Sequence, residues 1–257
     1  MNTGETNGAT SANPAAATGA GRDVFATTHW TAVITAGRGS SPAADVALEE
    51  LCRTYWFPLY VYVRRQTATR EDAEDLTQAF FARFLEKNYL EKLTAQKGRF
   101  RAFLLAALKH FLANEWDRAN RQKRGGGMAP LSLDWQDADA RYQIEPADNA
   151  SPDKLYDRAW AVTLLEKVLG RLRDENAVPE QAKQFDQLRG YLMVGTSAIP
   201  YGEAASRLNV SEGAVRVAVH RLRRRYRELL REEISQTLSD PTQVDEEMRT
   251  LFSAFIA

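Results

Sequence analysis

Apolar residues recur at helical spacing along most of this chain. From Asp45 to Gln66 they fall at Leu48, Leu51, Cys52, Tyr55, Leu59 and Tyr62, a stripe interrupted by Pro58, where a kink is expected. Thr69 offers an N-cap for a second helix through Asp72, Leu76, Phe80 and Leu85. A third begins near Arg99, with Phe100, Phe103, Leu104, Ala107, Leu108, Phe111 and Leu112 on one side and Trp116 a turn later. Its end turns polar and basic, and Gly125 to Gly127 stop it. Trp160, Leu164, Leu165, Val168, Leu169 and Leu172 mark a further helix, and Phe185, Leu188, Tyr191 and Leu192 the next. Tyr201, Ala204, Ala205 and Leu208 define a short helix, Asn209 and Val210 a turn, and Ser211 the N-cap of a long final stripe.

Between these stripes the pattern lapses. Residues 1–22 are rich in Ala, Thr, Gly and Asn, which predicts a disordered tail. A lead-in at 23–42 holds a short helix from Thr28 to Ala36, stopped by Gly37 and Gly39. From Met128 to Asp153 neither a period of 3.6 nor of 2 persists, and Pro130, Pro146 and Pro152 punctuate it. So long a connection argues for two domains rather than one. The expected fold class is therefore all-α. A helical domain at 43–124 and a second at 154–233 are joined by an extended linker at 125–153. A C-terminal extension at 234–257 ends in Leu251, Phe252, Phe255 and Ile256, whose helical spacing predicts core packing.

Composition is that of an ordinary soluble protein, 44% apolar and 26% charged. No apolar run approaches a membrane span and the N-terminus lacks the form of a signal peptide, so a cytoplasmic location and no membrane partner are expected. One cysteine and three scattered histidines predict neither disulfide nor metal site, and no cofactor is expected. The net charge is zero, but it is segregated. Lys97 to Arg124 holds eight basic residues against two acidic, +6; Leu131 to Asp157 holds seven acidic against two basic, −5; Glu212 to Arg231 holds seven basic against two acidic, +5. Two basic blocks flank an acidic linker.

At 100° per residue, Val215, Ala218, Val219, Leu222, Tyr226 and Leu229 occupy one sector of the last long helix, while Arg216, His220, Arg223, Arg224 and Arg227 face away. With the short helix before it, this is the pattern of a helix-turn-helix unit. Asn209 stands where such a turn asks for positive φ. Gly213 costs a helix roughly 1 kcal/mol relative to Ala, so a close approach to the short helix or to a DNA backbone is expected there.

With these segments in hand, the chain resembles the extracytoplasmic-function sigma factors over about residues 45 to 233. Asp72-Ala-Glu-Asp-Leu-Thr-Gln78, followed by Phe80 and Phe81, is similar to the helix with which that family grips the clamp of RNA polymerase. The resemblance implies polymerase contacts from Asp72, Asp75, Leu76, Gln78 and Phe81. Phe100-Arg-Ala-Phe-Leu104 through Arg124 resembles the helix that captures and opens the start-site-proximal promoter element, which implies His110, Asn114, Trp116, Arg118, Arg121, Lys123 and Arg124 as DNA contacts, with Phe111 a weaker candidate for base stacking. Tyr201-Gly-Glu-Ala-Ala205 and Ser211-Glu-Gly-Ala-Val-Arg-Val-Ala-Val-His-Arg221 resemble the reader of the upstream element, which implies Ser211, Glu212, Arg216, Val217, His220, Arg221 and Arg224. Ala79 departs from the family's usual glutamate, and His110 and Asn114 stand where an Asn and an Asp are common. The implied partners are core RNA polymerase, promoter DNA and an anti-sigma factor or other regulator; no catalytic residue is expected.

Two other readings compete. A stand-alone helix-turn-helix regulator accounts for residues 200–230 but leaves the first domain and linker unassigned. A helical enzyme using Glu71, Asp72, Glu74 and Asp75 as metal carboxylates lacks any histidine or cysteine to complete a site, and acidic residues at a helix start are expected from its dipole.

Overall fold

The structure is a computed structural model that describes residues 42–86, 98–121, 142, 150–192 and 199–255. The expected tail at 1–22, the helix at 28–36, nearly all of the acidic linker, and Lys123 and Arg124 lie outside the described residues. Eight α-helices appear among them and no strand: α1 Pro42–Arg64, α2 Arg70–Phe84, α3 Phe100–Arg121, α4 Pro152–Glu175, α5 Pro179–Leu188, α6 Tyr201–Leu208, α7 Glu212–Gln236 and α8 Val244–Ser253. Short 3-10 turns occupy Arg189–Tyr191 and Pro241–Gln243.

Local chemistry sets the helix starts. Thr69 Oγ1 accepts from the Asp72 amide at 3.1 Å, and Ser211 Oγ from the Ala214 amide at 3.2 Å, each satisfying a donor that a first turn leaves open. Ser151 caps α4 in the same way, with Pro152 in the first helical position. Pro58 does not divide α1, which runs unbroken from Pro42 to Arg64.

The main core is aromatic. From α1, Tyr55, Leu59, Tyr60 and Val63 meet Phe80, Phe81 and Phe84 of α2 and Phe100, Leu104 and Leu108 of α3. Phe80 stacks on Phe84 at 5.7 Å between centroids and takes the edge of Phe111 at the same distance, which places Phe111 in the core. Each such side chain, fully buried, contributes about 1.5–3 kcal/mol of hydrophobic free energy. Cys52 lies on the same face of α1, where burial pushes its thiol up to about 12 and keeps it unreactive.

That core also takes Tyr156, Trp160, Leu164 and Val168 from α4, Leu229, Leu230 and Ile234 from the second half of α7, and Val244 and Leu251 from α8. It therefore draws on both stretches, 43–124 and 154–233, and on the C-terminal extension. A smaller cluster of Leu188, Tyr191, Ala204, Ala205, Val215 and Val219 lies under α5, α6 and the first half of α7. One 25-residue helix, α7, thus serves both cores.

The C-terminal segment returns to the start of α3. The Phe100 amide donates to the Thr237 carbonyl at 2.9 Å and the Ser239 amide to Gly98 at 3.2 Å, around an isolated bridge between Arg99 and Leu238. Gly98 makes this possible with φ of 145°, a conformation that side chains rarely adopt. Beside the bridge Glu247 is fully buried and accepts from Arg101 Nε at 2.5 Å, while Arg99 Nε approaches its other oxygen at 2.7 Å. Arg101 also pairs with Asp157 and lies over the Trp160 ring, 4.8 Å from its centroid. A second buried carboxylate, Glu233, binds Lys167 and Arg171 of α4.

Candidate nucleic-acid and polymerase interfaces

The turn between α6 and α7 is three residues long. Asn209 adopts φ of 53° and ψ of 46°, the only non-glycine at positive φ among the described residues. The Val210 amide donates back to the Ala205 carbonyl at 3.0 Å, which closes α6 as a left-handed cap requires. α7 then lays Val215 and Val219 into the small core, with Ala218 and Leu222 half-buried beside them. Gly213, Val217, His220 and Arg224 form the line farthest from that core and are all exposed, Val217 to 52%. Arg216 flanks the line on one side and Arg221 on the other.

Of the two close approaches expected at Gly213, the one to the short helix is not found. A Cβ there would come no closer than 3.9 Å to Ser211 Oγ, so packing against α6 does not require glycine.

The arginines of α7 divide by partner. Arg225 donates to both oxygens of Glu175, at 2.8 and 2.5 Å, and Arg231 pairs with Asp245, so these two tie α7 to α4 and α8. Arg223 donates to the Tyr191 carbonyl at 2.9 Å. Arg224 pairs with Glu228 at 3.0 Å along its own helix, and Arg216 likewise with Glu212. Glu212 thus enters as the partner of Arg216. Beside Arg221 and Val217 a groove of about 620 Å³ opens between α7 and α5, with Phe185 and Leu188 in its wall.

On α2, Asp72 and Asp75 are exposed and Leu76 and Gln78 half-buried. Phe81, expected among the contact residues, is fully buried against the core, because the inward stripe of this helix runs Ala73, Thr77, Phe80, Phe81 and Phe84. It supports the exposed face from beneath. On α3, His110, Asn114, Trp116 and Arg118 are exposed, Trp116 to 43%, and Asn114 Nδ2 lies 3.2 Å from His110 Nδ1. Arg121 closes the helix. In the basic block around α3, Arg99 and Arg101 are held by Glu247, and Lys109 by Asp153.

No group of acidic, histidine or cysteine residues that could hold a metal occurs among the described residues, and no described helix is long and apolar enough to cross a membrane.

A family model described as ECF sigma factor matches residues 44–235, about three quarters of the 257-residue chain. The chain belongs to that family. Neither a curated protein nor a solved structure matches it. As a sigma factor it acts in transcription initiation, and its partners are core RNA polymerase and promoter DNA. The matched span begins within α1 and stops one residue before the end of α7, so α8 of this sigma factor lies beyond it although its Val244 and Leu251 belong to the main core. Phe252 and Phe255, expected to pack with Leu251, are exposed instead, and Ile256 lies outside the described residues.

Proposed function

We propose the following division of labour within this cytoplasmic, non-enzymatic sigma factor. Asp72, Asp75, Leu76 and Gln78 of α2 contact core polymerase, and an anti-sigma factor or other regulator acts on the free protein. His110, Asn114, Trp116, Arg118 and Arg121 of α3, with Lys123 and Arg124, hold the start-site-proximal element. Extruding a base costs a few kcal/mol, and stacking on an aromatic such as Trp116 returns ~1–3 kcal/mol. The acidic linker at 125–153 runs along basic polymerase surface, and α6 and α7 act as a helix-turn-helix on the upstream element.

The observation that carries this reading is the exposed line Gly213, Val217, His220 and Arg224, flanked by Arg216 and Arg221, on the first half of a helix entered through a tight left-handed turn. A helix presented in this way enters the major groove N-terminal half first. There Arg can bond guanine, while Arg224 and Arg227 meet phosphate. The missing Cβ of Gly213 leaves room for a DNA backbone.

The test is selection of binding sites from a randomised upstream element by holoenzymes carrying Arg216→Ala, Arg221→Ala or Arg227→Ala. The first two relax preference at one base pair each, by ~1–3 kcal/mol, while the third weakens all sequences alike. Identical preferences in all three assign base recognition elsewhere. For polymerase binding, Asp75→Ala with Gln78→Ala lowers affinity for core enzyme; unchanged affinity in a folded variant removes that assignment.

A further inference from the structure

Of the outward arginines on α7, Arg216 has the most elaborate support. Its guanidinium carbon lies 4.7 Å from the centroid of the Tyr201 ring. Tyr201 in turn stacks on Tyr191, centroids 4.9 Å apart and planes 7° from parallel. Tyr191 is buried in the small core, and its hydroxyl donates to the Ile199 carbonyl at 2.5 Å. From the other side Glu212 Oε1 accepts from Arg216 Nε at 3.2 Å and Nη2 at 2.6 Å. The 3-10 turn, the start of α6 and the first turn of α7 thus converge on one arginine whose side chain is 61% exposed. Arg221, across the same helix, has no such platform among the described residues.

We propose that Tyr201 is a positioning residue for promoter recognition, holding the Arg216 guanidinium flat so that its free donors reach a base edge as a fork. This rests on the reading of Arg216 as a base contact. A guanidinium carries five N–H donors. Glu212 engages Nε–H and one hydrogen of Nη2, which leaves the Nη1 and Nη2 ends as the pair that matches guanine O6 and N7. An arginine side chain otherwise spends its binding free energy on becoming ordered, and a stacked, ion-paired one is ordered beforehand. The aromatic face supplies this and a leucine does not, although leucine fills similar apolar space.

The experiment is site selection by holoenzymes containing the full chain with Arg216→Ala, Tyr201→Leu or Tyr201→Phe. Tyr201→Leu is expected to reduce discrimination roughly two- to five-fold at the base pair that Arg216→Ala relaxes, and at no other position. Tyr201→Phe, which keeps the ring, restores it. Full discrimination in Tyr201→Leu, equal loss at every position, or failure of Tyr201→Phe to restore it overturns the inference while leaving Arg216 as a base contact. If Arg216→Ala itself changes no preference, the base contact is overturned and the positioning role with it.

Discussion

Arg101 and Arg216 make the same bond with opposite consequences. Each donates to a glutamate, Arg101 to Glu247 at 2.5 Å and Arg216 to Glu212 at 2.6 Å. Around Arg101 the side chains are 7% and 0% exposed; around Arg216 they are 61% and 48%. In the first region water cannot replace the partner, so losing it strands a charge in the core. In the second, water replaces it at little cost, and the arginine stays exposed whether or not the pair is made. The main core and the face of α7 above the smaller core therefore use the same residue types in different surroundings, and burial separates them.

The largest effect that can break this comparison is at Glu247. Glu247→Ala leaves Arg101 buried with the partly exposed Asp157 as its one remaining carboxylate partner among the described residues, and costs about 3–5 kcal/mol in urea unfolding. Arg216→Ala leaves the unfolding midpoint essentially unmoved. If the two variants are equally stable, burial is not what distinguishes the regions.

A middle-sized effect belongs to the turn. Asn209→Val places a β-branched side chain at φ of 53° and costs ~1–2 kcal/mol, whereas Asn209→Gly is tolerated. Equal stability of the two, measured by thermal unfolding, would show that the turn relaxes to another conformation.

The smallest effect is acid dependence. Hydrogen bonding to Arg225 holds Glu175 below its ordinary range, and Arg231 does the same for Asp245. A depressed folded-state value means that these pairs stabilise the fold above the ordinary carboxylate pKa of roughly 4 and stop doing so as pH falls through the folded values. The thermal midpoint is thus expected to drop below about pH 4, and less steeply in a variant with Arg225→Ala and Arg231→Ala. An identical acid response in both would remove these pairs from the account.

Local periodicity made much of this legible. Phe100, Leu104, Leu108 and Phe111 were readable as an inward stripe, and so were the Thr69 and Ser211 caps and the positive φ of Asn209, because each is decided within one or two turns of chain. Its place in a motif points Phe81 toward polymerase, whereas its spacing from Ala73 and Thr77 puts it inside, where it lies. What periodicity could not carry is pairing at a distance. Arg101 and Glu247 are 146 residues apart, and Arg225 and Glu175 are 50 apart. Read along the chain, the arginines of α3 and α7 form two basic blocks. In space part of that charge is held by α4 and α8, and only the remainder faces outward. The same holds for Tyr201: its apolar position in a short helix is legible along the chain, and the arginine 15 residues on that lies over its ring is not.

On the proposed reading the arginines of α7 divide by partner rather than by position: Arg216, Arg221, Arg224 and Arg227 are assigned to DNA, whereas Arg225 and Arg231 are held by Glu175 of α4 and Asp245 of α8. The direct measurement is the slope of log affinity against log salt for holoenzyme on a promoter, compared between Arg224→Ala and Arg225→Ala. These neighbours carry the same charge, and among the described residues Arg224 is paired only along its own helix while Arg225 is bound to Glu175 of α4. The account predicts that Arg224→Ala lowers the slope by roughly one and Arg225→Ala leaves it unchanged while lowering thermal stability. Equal reduction of the slope in both variants would contradict it.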